Sequence, residues 1–249
     1  MTLVPLILYN RRVITIGNQT LPKRLQMEYW VDKRRLSIKP HLCSIDQPLT
    51  IMFWYEEDVK QLETIKATLR YEPETIFYGS SSIRQWEGLY EEFRSFHPVN
   101  LGFGGSTLAA CVWFFERILK PYKPKHIVCY AGDNDLGDGR HPEEVYIFFL
   151  QLLDCLDKYF PDVPFTYISI KPSIARQEII KQISYTNSLI KKAIEQAGGR
   201  RYYVNVFSSM LDDKGFPQAD LFEADGLHMN EKGYAIWNEI LLQHLASNI

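Results

Sequence analysis

The chain has 249 residues, 46% of them hydrophobic and 23% charged, with a formal net charge of -2. That length and composition suit one large α/β domain, or a smaller domain with an appendage, and they exclude a disordered chain or a strongly basic nucleic-acid binder. No stretch approaches 18 uninterrupted apolar residues, so no transmembrane helix is expected.

The N-terminal region carries an uneven charge. Residues 1–40 hold Arg11, Arg12, Lys23, Arg24, Lys33, Arg34, Arg35 and Lys39 against only Glu28 and Asp32. A solvated basic face is the expectation there, ahead of a site for an anionic partner. The apolar run from Leu3 to Tyr9 has no basic residues before it and no small-residue cleavage site after it, so no signal peptide is read. Val13–Ile16, Leu36–Ile38 and Leu49–Tyr55 are short and β-prone, separated by turn residues, before a helical pattern over 57–70. Residues 1–72 therefore read as a β-rich extension or small domain. The Phe53-Trp54-Tyr55 run reads as core or a docking surface rather than a ligand platform.

From residue 73 to the end the pattern changes. Short apolar runs at 75–79, 98–102, 126–131, 164–170 and 202–206 alternate with amphipathic stretches at 83–95, 106–120, 142–159, 175–197 and 230–246. This alternation predicts an α/β fold: a central, mostly parallel five-stranded sheet covered by helices, in a three-layer α/β/α arrangement. Chemistry in such folds gathers beyond the C-terminal ends of the strands.

Several motifs fall there. Strand 75–79 runs into Gly79-Ser80-Ser81-Ser82-Ile83, a strand-to-helix turn that exposes a hydroxyl or else caps the helix. Asn100-Leu-Gly102-Phe-Gly104-Gly105-Ser106 leaves the second strand; it is a tight βα turn or, at Gly102, a backbone N–H donor for an oxyanion. It lacks the third glycine of a dinucleotide-binding loop. Gly132-Asp133-Asn134-Asp135 leaves the third strand, where Asn134 forms an Asx turn or offers its amide to an oxyanion. Near the C-terminus, Asp225 precedes His228 by three residues, close enough for a carboxylate to reach back, fix the imidazole tautomer and stabilise the imidazolium. A serine against the other ring nitrogen would then be an acyl-transfer nucleophile.

Weaker signals accompany these. Ser188-x-x-Lys191 matches a nucleophile spacing but lies in a strongly helical stretch and reads as a solvated face. His41, His97, His126, His141 and His244 have neither metal-ligand spacing nor acidic partners at matching offsets. Cys43, Cys111, Cys129 and Cys155 are far apart, without the paired spacing of a metal or redox motif; Cys111 and Cys129 read as core, which fits a reducing, cytoplasmic setting. Lys171-Pro172-Ser173 with Arg176 follows the fourth strand and reads as a turn or part of a substrate pocket.

Four ordered motifs on these elements make residues 74–246 resemble the SGNH hydrolases, or GDSL-like esterases. The resemblance places the block-one serine on Ser81, the second block on Asn100 and Gly102, the third on Gly132, Asn134 and Asp135, and the last on Asp225 and His228. The first block of that family usually reads Gly-Asp-Ser, and here Ser80 stands in the Asp position; alignment on Gly79 selects Ser81 over Ser82. The resemblance implies a serine esterase acting through an acyl-enzyme, with Ser81, Asp225 and His228 catalytic and Ser81, Gly102 and Asn134 forming the oxyanion hole. Neither metal nor organic cofactor is implied. The substrate would be a small-molecule or glycan ester: O-acetyl carbohydrate, short-chain acyl ester or lysophospholipid. The competing reading is a non-catalytic small-molecule binder on the same scaffold.

Overall fold

The computed structural model describes residues 6–9, 12–15 and 52–248. The chain divides into two compact units, Met1–Thr50 and Ile51–Ile249. In the first unit, β1 (Leu6–Tyr9) pairs antiparallel with β2 (Arg12–Thr15). The expected segment at 36–38 and the basic residues from 23 to 39 lie outside the described residues, as does Cys43.

The second unit begins upstream of the expected boundary at 73. Helix α1 (Glu56–Thr68), grouped with the extension on sequence, packs on α4 (Leu108–Leu119): Arg117 of α4 bonds Glu56 at 2.8 Å and Glu63 at 2.6 Å. Nor are residues 53–55 a strand. They form a 3₁₀ turn in which Phe53 and Trp54 are exposed while Tyr55 is buried edge-on against Phe103 and Phe114.

Five strands, β3 (Thr75–Gly79), β4 (Pro98–Gly102), β5 (His126–Tyr130), β6 (Phe165–Ile168) and β7 (Arg201–Val204), form one sheet in the order β4-β3-β5-β6-β7 with every pairing parallel. Continuous apolar runs are what a sheet buried on both faces requires. Alternate residues go to opposite sides. Ile76, Tyr78, Ile127, Cys129, Phe165 and Tyr167 face the core under α4, α6 (Pro142–Tyr159) and α7 (Ile180–Ala197). Phe77, Val128, Tyr130 and Ile168 face Trp86, Leu89, Phe93 and the Trp237, Leu241 and Leu245 stripe of α8 (Glu231–Asn248).

The expected helix at 83–95 breaks into α2 (Ser81–Arg84), α3 (Leu89–Glu92) and a 3₁₀ turn at Arg94–Phe96, with Gly88 at the second start. Glycine is a poor helix interior. The stretch at 106–120 becomes helical at Leu108, because Thr107 caps it by accepting from the Ala110 N–H at 3.1 Å. A short helix not foreseen, α5 (Asp133–Gly137), follows β5. Among the described residues no helix is long and apolar enough to cross a membrane.

Candidate active site

The turn after β3 is built from backbone. Gly79 has φ +141°, and a Cβ there would stand 1.8 Å from the Tyr130 carbonyl oxygen, so only glycine fits. The next N–H, of Ser80, donates to that same oxygen at 2.9 Å. Ser80 is extended, and the N–H groups of Ile83 and Arg84 return to its carbonyl at 2.9 and 3.1 Å, so α2 starts at Ser81. The capping role weighed for this serine run is not taken up at Ser80, whose side chain makes no cap bond. Ser82 is buried. Ser81 is the serine left at the surface of the turn.

Facing it is a small loop closed by a bridge between Phe222 and Met229. Glu223 N–H donates to the His228 carbonyl at 2.8 Å, and Gly226 takes φ +65° at the tip. Asp225 organises the loop from inside: its Oδ1 accepts from the N–H groups of Leu227 and His228 at 2.8 and 2.9 Å, and its Oδ2 lies 2.6 Å from His228 Nδ1. The imidazole hydrogen bond first, and the Leu227 N–H second, hold the Asp225 carboxyl down at about 2. An ionised carboxylate can only accept, so His228 Nδ1 carries the proton and Nε2 presents its lone pair. That nitrogen is 3.2 Å from Ser81 Oγ. A serine early in the domain and an Asp–His pair near its end are thus joined in one Asp–His–Ser chain of contacts.

The Asn100–Gly102 block does different work from that expected. Asn100 Nδ2 donates to the Ile83 carbonyl at 2.6 Å, while its Oδ1 accepts from the Gly102 N–H at 3.0 Å. The N–H expected to face an oxyanion is therefore engaged within its own strand end. Gly102 is required for packing instead: a Cβ would lie 2.4 Å from the Arg84 backbone nitrogen. The pair braces α2 against β4. Beyond it, Gly105 has φ +66°, is exposed and faces open space at Cα.

Asn134, in α5, donates through Nδ2 to the Ser106 carbonyl at 3.0 Å and accepts through Oδ1 from Arg176 at 3.3 Å. An amide carries two N–H bonds, so one remains for another acceptor. Its neighbour Asp135 is structural. Buried, with its carboxyl pushed up to about 6 by that burial, it accepts from the Leu108 N–H at 2.6 Å at the start of α4.

Lys171 and Arg176 are drawn into a charged cluster around Asp133. Lys171 is buried, 3.3 Å from Asp133 Oδ2 and 2.8 Å from the Leu227 carbonyl, and Arg176 Nε is 2.8 Å from Asp133 Oδ1. Asp133 was not singled out on sequence; an acid beside a candidate amide donor, with a lysine past the next strand, was the available signal. His41 lies outside the described residues; the other weak signals among the described residues stay apart from the site. Ser188 donates to the Tyr185 carbonyl within α7, and Lys191 pairs with Glu195. His141 caps α6, His97 is exposed, and His126 and His244 meet at Thr166, at the opposite end of the sheet. Cys111 and Cys129 are buried and Cys155 is half-buried, all three free.

Solved structures share this architecture. A GDSL-like lipase of Bacteroides thetaiotaomicron matches with a TM-score of 0.67 at 18% identity, covering 77% of this chain and 98% of its own. A protein of Streptococcus pneumonia described as a platelet activating factor matches with a TM-score of 0.66 at 21% identity, covering 78% of this chain and 96% of its own. A carbohydrate esterase family 3 protein of Talaromyces cellulolyticus matches at 0.59 and 17% identity, covering 70% and 96%. No curated protein matches the sequence. At these identities the likeness establishes the fold. The family model for GDSL-like lipases and acylhydrolases matches residues 73–236, from the first strand through the Asp225–His228 loop into the last helix. The chain belongs to the GDSL-like lipase/acylhydrolase family and is a carboxylic ester hydrolase.

Proposed function

We propose that the enzyme is a serine esterase that works through an acyl-enzyme, with its catalytic groups carried by residues 73–249 and helix α1 packed on as part of the same unit. The carrying observation is the relay itself: Asp225 Oδ2 to His228 Nδ1 at 2.6 Å and His228 Nε2 to Ser81 Oγ at 3.2 Å. In the first step Ser81 Oγ attacks the ester carbonyl as its proton passes to His228 Nε2. The tetrahedral intermediate collapses, the C–O bond to the alcohol breaks, and the imidazolium returns the proton to the leaving oxygen. Water then repeats the sequence on the acyl-enzyme, with His228 as base, and releases the acid. Asp225, ionised throughout the neutral range, stabilises the imidazolium in both halves.

Two donors support the developing oxyanion: the Ser81 N–H at the start of α2 and the free N–H of the Asn134 amide. With the Gly102 N–H engaged by Asn100, the turn at Gly104 and Gly105 is the backbone available for a third. Ser80 in the family's Asp position leaves the relay intact, since the turn is closed by main-chain bonds.

Among ester classes, O-acetyl carbohydrate is the first to test, given the likeness to a carbohydrate esterase, followed by short-chain acyl esters and lysophospholipids. The test is stoichiometric labelling by a fluorophosphonate together with hydrolysis of p-nitrophenyl acetate. Labelling of Ser81 with turnover is expected; a folded protein that neither reacts nor turns over overturns the mechanism and favours a binder.

A further inference from the structure

Behind the relay lies a buried charged cluster that the ester chemistry does not require directly. Lys171 follows β6 and its side chain is only 1% exposed; Asp133, which it pairs with, is 7% exposed, and Arg176, the second cation on Asp133, is 15% exposed. Burying an ammonium this deeply is unfavourable unless each of its donors is met. Here the Lys171 Nζ finds the Asp133 carboxylate at 3.3 Å, the Leu227 carbonyl at 2.8 Å and the face of the Phe222 ring at 5.8 Å. Leu227 lies between Asp225 and His228, and Phe222 closes the same loop through its bridge to Met229. Two of the three partners of this ammonium therefore belong to the loop that carries the base.

The third partner leads to the other half of the site. Asp133 directly precedes Asn134, and Arg176 spans both: its Nε lies 2.8 Å from Asp133 Oδ1, in ionic contact without a well-aligned N–H, and its terminal nitrogen donates to Asn134 Oδ1 at 3.3 Å. A cation on Oδ1 fixes the amide orientation, because a flipped Asn134 would turn its NH₂ toward the guanidinium. Arg176 is placed by a local departure from helical geometry (φ -119°, ψ 22°) and lies against Gly137, where any Cβ would overlap it. A main-chain bond, Ala175 N–H to the Gly226 carbonyl at 3.0 Å, ties the same segment to the base loop a second time.

We infer that Lys171, with Asp133 and Arg176, is a positioning device that locks the His228 loop and the Asn134 amide into one frame, so that base and oxyanion donor hold a fixed separation. This rests on the esterase reading above for its catalytic consequence, but not for the tether itself. Lys171 touches neither Ser81 nor the imidazole; it acts through the Leu227 carbonyl. A loosened loop displaces Nε2 from the serine, and a displacement of about 1 Å at a reacting centre can lower turnover about 100-fold.

The experiment compares wild type with Lys171→Met, which keeps the length and removes the charge, and Arg176→Gln, which frees the Asn134 amide at a partly exposed position. Turnover of p-nitrophenyl acetate by folded protein should fall about 10- to 100-fold in each with KM within about twofold. Fluorophosphonate labelling of Ser81 should slow in step. In Lys171→Met the low-field ¹H resonance of the His228 Nδ1–H should broaden, and Asp133→Asn added to Lys171→Met should cost less turnover than Asp133→Asn alone, since coupled sites are not additive. A purely structural role would lower the melting temperature and leave turnover per folded molecule unchanged. Turnover and labelling within twofold of wild type in folded Lys171→Met overturn the inference; should that variant not fold, the same result in Arg176→Gln overturns it. If wild type itself neither turns over nor labels, the esterase reading falls, while an unaltered His228 resonance in Lys171→Met remains the result that removes the tether.

Discussion

The two ends of the central sheet hold polar clusters of opposite character. At the C-terminal edge, Lys171 and Arg176 both pair with Asp133, and the cluster reaches the His228 loop and the Asn134 amide. Near the other end, His126 and His244 share the Thr166 hydroxyl, at 2.8 Å from each, between the sheet and α8. This second cluster is neutral: burial pushes His126 down to about 3 and lowers His244 as well. It is also incompletely satisfied, since His126 Nδ1 is buried without a partner. One cluster orders a site and the other fastens a helix. Changes at the first should be read in turnover, and changes at the second in stability.

The sharpest test of that division is Ser81. Ser81→Ala should lower kcat on the order of 10⁴-fold or more with an unchanged melting temperature, whereas Ser82→Ala should retain a nucleophile. Full activity in Ser81→Ala would show that the serine facing His228 is not the one that reacts. Asn134→Ala comes next, with kcat expected to fall about 100- to 1,000-fold, or roughly 3 to 4 kcal/mol of transition-state stabilisation, and KM little changed. A defect confined to KM would assign the amide to substrate binding.

At the other end, Thr166→Val removes the hydroxyl that both imidazoles use and should cost about 1 to 3 kcal/mol of stability, seen as a melting point several degrees lower, with turnover per folded molecule unchanged. The pH dependence follows from the same pair. In the unfolded chain a histidine takes up its proton near pH 6.5, but His126 in the fold resists until about 3, so the unfolded state binds more protons as the medium is acidified. Stability should therefore be full above about pH 6.5 and decline below it, with the His126 contribution lost progressively toward about 3; a melting temperature that stays flat from about pH 7.5 to about 5 breaks the argument. The smallest effect is expected at Arg117→Ala. Its pairs with Glu56 and Glu63 are exposed enough for water to screen them, and the melting temperature should fall by less than Thr166→Val lowers it.

Much of this arrangement is legible in the residues. Five apolar runs bounded by turn signals become five parallel strands, because side chains covered on both faces leave an unbroken hydrophobic record. Asp225 and His228 are legible for a local reason: three residues suffice for the contact, whatever the rest of the chain does. The helix interruptions are less so. The apolar positions Ile83, Trp86, Leu89 and Phe93 keep a helical rhythm while the backbone divides around Gly88, since burial of one face does not demand an uninterrupted helix. The reading of Gly102 as an oxyanion donor rests on its place after a strand, whereas the two-residue offset from Asn100, the spacing of an Asx bond, is the local signal that its N–H is claimed. Lys171 stood out in sequence, but its partners Asp133 and Leu227 come from distant segments, and only the fold brings them to it.

The close approach at Gly79 has a consequence for variation in this enzyme. The bend that presents Ser81 is templated by the neighbouring main chain at Tyr130, not by the Ser80 hydroxyl, so another side chain small enough for that buried position can stand there without undoing it. That latitude ends one residue earlier: even a methyl group at 79 would prise the two strands apart and carry the Ser81 hydroxyl away with them.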